Sequence, residues 1–147
     1  MNSTDVISEM SSAIQLALGP VFLLTGIAGM LNVMSGRLSR IIDRGRSLTE
    51  KPDLIATYEP AEIHRELLML ERRRHITSRA ITMITIAALL VCLVIVTLFL
   101  EAMFFVRLNG LIGVLFILAT LGLVVGLGYF LQEVHMASRT VRIRGMR

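Results

Sequence analysis

Three stretches of this chain, 10–36, 80–100 and 108–132, contain no Asp, Glu, Lys or Arg. About 20 apolar residues, in a helix rising 1.5 Å per residue, cross the roughly 30 Å of hydrocarbon in a bilayer, and each stretch reaches that length. The pattern predicts three membrane-spanning helices, at about residues 13–35, 80–101 and 108–132. Pro20 lies inside the first and removes a backbone donor, which predicts a bend at Gly19–Pro20. Between the first two spans, apolar residues return at helical spacing in a charged background. Met34, at the end of the first span, continues on roughly one face with Leu38, Ile41, Ile42 and Leu48, and Ile63, Leu67 and Leu70 precede the second. Nothing in "RLSRIIDRGRSL" stops a helix, so the first is expected to continue for about three turns beyond the membrane. "TEKPDLIATYEP" reads as the turn, and Pro60 suits the first turn of the returning helix. The expected fold is all-α: three membrane-spanning helices, the first two prolonged over residues 36–79 into an antiparallel helical hairpin, apolar seams facing and charges outside. Residues 133–147 form a tail.

The first helix is not evenly apolar. Gln15, Leu18, Phe22, Thr25, Gly29, Asn32, Gly36, Ser39 and Asp43 recur at alternating steps of three and four, and all but Leu18 and Phe22 are small or polar. The opposite faces hold Val21, Leu24, Ile27, Leu31, Met34, Leu38 and Ile41. Lipid offers an amide or hydroxyl no partner, so the stripe should turn away from it. Two destinations are open. One is a neighbouring helix, against which small residues pack closely and Asn or Thr hydrogen-bonds across. The other is a water-filled axis ringed by copies of this helix. There Gln15 would ring the outer part, Phe22 would constrict it, and Thr25, Gly29, Asn32, Gly36, Ser39 and Asp43 would line the rest. Three spans are too few to enclose a path, so a pore requires a symmetric ring of subunits. The stripe's period of 3.5 residues suits helices repeated about an axis.

Charge adds a direction. Fourteen of the fifteen basic residues lie in 37–79 or beyond 132, and only Arg107 lies between the second and third spans. The positive-inside rule then places the hairpin and the C-terminus in the cytoplasm and the N-terminus outside. The pI of about 10.2 is thereby a topology signal, and no nucleic-acid partner is expected. The hairpin itself is mixed, with ten basic and seven acidic residues. Met1 to Glu9 carries Asp5 and Glu9 and no basic side chain, unlike the start of a signal peptide, so the first span is expected to be retained. Composition agrees: 54% of residues are hydrophobic and 18% charged, against about 45–50% and 25% in a soluble domain.

Candidate chemistry is sparse. His64, His75 and His135 share no metal-ligand spacing, and the lone Cys92 can build neither a disulfide nor a cysteine metal site within one chain. No phosphate loop, nucleophile elbow or H-E-x-x-H occurs. The spans hold no buried Asp, Glu or His, and Glu101 and Glu133 sit at span ends, where solvation is cheap. Neither an enzyme nor a cofactor is expected. Arg37, Arg40 and Arg44 after the first span and Arg72, Arg73 and Arg74 before the second have two readings. They attract anionic lipid head groups, at about 1 kcal/mol each, or they line the vestibule of a pore. Gly122 and Gly126 form a G-x-x-x-G pair suited to close helix packing. The leading expectation is a homo-oligomeric pore or ion channel lined by the first helix. The alternative is a non-catalytic adaptor or scaffold whose basic hairpin binds a partner or anionic lipid.

The run "PVFLLTGIAGMLNVMSGRLSRIIDRGR", the return helix "ELLMLERRRHITSRAI" and the two closely spaced spans after it cover nearly the whole chain. They resemble a bacterial family of three-span inner-membrane proteins, domain of unknown function 2721. Its most specific residues here are Pro20, Phe22, Leu23, Gly26, Leu31, Asn32, Arg37, Leu38, Arg40, Asp43, Arg44 and Arg46. The resemblance implies a multi-pass protein of a bacterial inner membrane and carries no mechanism.

Overall fold

In a computed structural model, which describes residues 3–50, 60–104 and 107–144, the chain is three long helices. These are α1 (Ser3–Glu50), α2 (Pro60–Phe104) and α3 (Asn109–Arg144). Each is long and apolar enough to cross a membrane, and the described residues contain no strand. At 48, 45 and 36 residues, all three exceed the roughly 20 needed for a span. α1 passes uninterrupted through Gly36, as its sequence predicts, and also through Pro20, which faces inward. Of the turn expected over Thr49–Pro60, Thr49 and Glu50 end α1 and Pro60 opens α2, while residues 51–59 lie outside the described residues. α3 does not end with its apolar stretch but continues as helix through the basic tail to Arg144.

One period organises all three helices. The inward residues of α1 fall seven apart, at Ala13, Pro20, Ile27, Met34, Ile41 and Leu48, all buried. A second line, Ala17, Leu24, Leu31, Leu38 and Gly45, is buried or half-buried. In α2 the corresponding lines are Ile63, Leu70, Thr77, Ile84, Val91 and Leu98, and Glu66, Arg73, Ala80, Ala87, Val94 and Glu101. In α3 they are Ile112, Ala119, Gly126 and Glu133, and Leu115, Gly122, Tyr129 and Met136. A strict seven-residue repeat is the signature of helices packed side by side with knobs in holes.

The contacts divide into two compact units: Met1–Leu31 with Met83–Val124, and Asn32–Thr82 with Val125–Arg147. The first unit has a small-residue core of Ala13, Ala17, Ala87, Ala102 and Ala119, filled out by Ile27, Ile84, Val91 and Val94. Gly122 lies close against α2, where a Cβ in its place would meet the Cβ of Ala87 at 3.4 Å. Buried Thr97 donates to the backbone carbonyl of Leu93, which spares its hydroxyl an unpaired burial. At the loop end, the Asn109 amide, turned with its nitrogen toward Glu101, donates to both carboxylate oxygens at 2.9 and 3.3 Å.

The second unit contains the hairpin, whose arms run antiparallel, because Arg44 of α1 pairs with Glu66 of α2 while Arg37 lies level with Arg73. Among the described residues, Met34, Ile41, Leu48, Thr77, Ala80, Gly126 and Glu133 are buried in this unit. Ile42 is exposed and does not join them. It falls one position past the inward line of Ile41, which rotates it about 100° away. The expectation of charges outside also needs correction, since the seam between the arms is itself partly ionic.

Candidate functional site: an outward polar stripe and a buried three-residue ion cluster

Every member of the α1 stripe is exposed. Gln15, Leu18, Phe22, Thr25, Gly29, Asn32, Gly36, Ser39 and Asp43 all point away from the packing within the chain. The reason is the repeat. The inward line of α1 begins at Ala13 and the stripe at Gln15, and two residues at 3.5 per turn make slightly more than a half turn. Both lines then keep step for the length of the helix. A Cβ added at Gly29 or Gly36 would meet nothing within 4 Å, so neither glycine serves a contact inside this chain. Thr25 donates back to the Val21 carbonyl at 3.3 Å, and Ser39 donates to Asp43 at 3.4 Å.

The basic residues separate into paired and exposed sets. Arg44 donates to Glu66 at 3.0 Å, with both side chains partly exposed. Arg40, Arg72 and Arg74 are exposed. Arg37 and Arg73 instead turn inward and meet on one carboxylate. Arg37 Nη1 donates to Glu133 Oε2 at 2.8 Å and Arg73 Nη2 donates to Glu133 Oε1 at 2.8 Å. The Glu133 side chain is 1% exposed, while those of Arg37 and Arg73 are 39% and 26% exposed. The guanidinium of Arg37 also lies over the ring of Phe130, 5.3 Å from its centroid, a cation–π arrangement that fixes its plane. Nε of Arg73 is buried without a hydrogen-bond partner.

Glu133 therefore does not sit in solvent at a span end. It is the point where all three helices are joined by ionic hydrogen bonds. Its burial follows from its place seven residues after Gly126 and fourteen after Ala119, on the inward line of α3. A reading of α3 by its seven-residue period, rather than by its G-x-x-x-G pair, would have found it. Gly126 is buried on that same line, and Gly122 packs within the chain. Among the described residues, no group of three or more His, Cys, Asp or Glu side chains could hold a metal ion.

Comparison with known proteins gives a family and no mechanism. No curated protein and no solved structure matches the chain. One family model does, over residues 17–143, a range that takes in the stripe from Leu18 onward, both hairpin arms and Glu133. The chain thus belongs to the family described as Protein of unknown function (DUF2721).

Proposed function

We propose that copies of this chain assemble in the membrane through the outward stripe of α1 and enclose a polar path that the stripe lines: a homo-oligomeric pore. The observation that supports this reading is the exposure of the whole stripe, opposite a fully used inward seam. Packing within one chain leaves Gln15 and Asn32 facing outward, and lipid supplies them no hydrogen bonds. Another copy, or water held among copies, does. The inward positions of each unit are filled, with Met34, Ile84 and Val91 at or below 1% exposure, so a conducting path belongs between subunits rather than inside one. The role is conduction, with no catalytic step.

The setting of this reading is a bacterial inner membrane, with the N-terminus outside and the hairpin and C-terminus in the cytoplasm. The hairpins then stand around the inner mouth. Their exposed arginines, Arg40, Arg72 and Arg74, favour a second use of the same surface, as a docking arm for a partner.

Planar-bilayer recording of the purified protein under a potassium chloride gradient tests the pore. Unitary currents whose conductance changes in Asn32→Leu, with assembly preserved, support it. Loss of assembly in that variant makes Asn32 a packing residue. Silence across voltage, from protein shown to be folded and inserted, overturns conduction and leaves the adaptor.

A further inference from the structure

We propose that Arg37 and Arg73, held in place by Glu133, form a receptor for the phosphate group of an anionic phospholipid. The inference stands apart from the pore reading, because it concerns the opposite side of α1.

Arg37 is the first charged residue after the charge-free stretch 10–36, and Glu133 is the first after the charge-free stretch 108–132. Arg73 lies six residues before Arg79, where the charge-free part of α2 begins, or about 9 Å along the helix. All three side chains therefore meet at the edge of the hydrocarbon, in the layer that phospholipid phosphates occupy.

Two guanidiniums share one carboxylate, so the cluster carries one surplus positive charge. The acid is sealed at 1% exposure and both of its oxygens are engaged, whereas the arginines remain 39% and 26% exposed. What the cluster presents outward is thus arginine side chain, with the carboxylate shielded behind it. Each arginine is oriented by a 2.8 Å bond, and Arg37 is further fixed on Phe130. Pre-set guanidinium planes suit phosphate, which they grip through paired N–H groups. A surplus charge beside low-dielectric hydrocarbon is costly without a counter-ion. A lipid phosphate supplies that charge without leaving its own layer. This is a built site, distinct from the diffuse attraction of the other exposed arginines to an anionic leaflet.

Thermal unfolding of the full-length protein in neutral detergent tests it, with added short-chain phosphatidylglycerol, phosphatidylcholine or inorganic phosphate at equal concentrations. The expected result is a saturable rise in the midpoint with phosphatidylglycerol alone. Arg37→Gln leaves Glu133 paired one-to-one with Arg73, so it should fold and yet bind phosphatidylglycerol about tenfold more weakly. Glu133→Gln doubles the surplus charge. It should be less stable without lipid and should gain more from phosphatidylglycerol than the wild type. Arg72→Gln and Arg74→Gln should change the affinity less than about twofold. Unchanged affinity in Arg37→Gln overturns the proposal even if Glu133→Gln fails to fold. So does an equal loss in Arg72→Gln, which would mean diffuse attraction. An equal response to inorganic phosphate overturns the lipid as its source, and an equal response to phosphatidylcholine overturns recognition of charge.

Discussion

Glu133 is one carboxylate between two guanidiniums, and the burial of the three partners differs in a way that sets the cost of removing each. An exposed ion pair contributes little, because water screens it and two long side chains lose freedom to make it. Arg46 and Glu50, 3.7 Å apart and both 68% exposed, are such a pair, and Arg46→Gln should leave unfolding in detergent within about 0.5 kcal/mol of the wild type. Glu133→Ala should cost about 3 kcal/mol by the same measurement, since it strands two inward-turned guanidiniums. That is the low end for a buried pair, because Arg37 and Arg73 keep part of their surface exposed. Equal effects of the two substitutions would show that Glu133 is as screened as Arg46. The seven-residue period of α3 marks Glu133 as inward, but its partners cannot be read from the sequence. An acid directly after a span reads as solvated, and nothing local reveals that two arginines on other helices converge on it.

At the scale of the helix, glycines on different lines of the seven-residue repeat do different things. Gly122 sits where α2 and α3 approach closely, with Ala87 Cβ 3.4 Å and Met83 O 3.9 Å from the position of an added Cβ. Gly122→Ala makes an ordinary contact there and should unfold within about 1 kcal/mol of the wild type, whereas Gly122→Ile must push into the α2 backbone and should cost about 1–3 kcal/mol. Gly29 and Gly36 face open space. Gly29→Leu should therefore leave the helical content and the thermal midpoint of the single chain unchanged, while lowering its mass in detergent if the stripe is the contact between copies. A Gly29→Leu protein that assembles normally would place that contact elsewhere.

At the scale of the molecule, one chain leaves a polar surface that packing within it does not cover. Both inward lines of α1 are filled, whereas its stripe is exposed along its whole length and packs on no other helix among the described residues. The mass in detergent separates the readings. A ring of four or more copies keeps a central path possible, whereas a monomer or dimer cannot enclose one with the stripes of α1. Cross-linking through a single cysteine placed at Ser35 or Ser39, both exposed, in a Cys92→Ala background that removes the native exposed thiol, should join copies in pairs with high yield for Ser39, which lies on the stripe. Equal yields of the cross-linked pair from both positions would argue against a defined contact face.

The three helices long and apolar enough to span a membrane, and the extension of α1 past Gly36, were legible in the chain, because charge-free length and helical spacing are local properties of the sequence. The polar stripe was legible too, since its residues recur along one helix. Its direction was not. Whether a line of a helix faces in or out depends on which neighbouring helix it meets, and in α1 the line of Ala13, Ile27, Met34, Ile41 and Leu48 took the internal contact. The division of the arginines was equally hidden. Arg37, Arg40 and Arg44 look alike as residues after a span, yet Arg37 turns to Glu133 and Arg44 to Glu66 while Arg40 stays exposed. Sequence fixed where the charges lie along each helix, and tertiary packing decided which of them meet. An ion pair between residues 96 positions apart exists only once three helices have been brought to the same level.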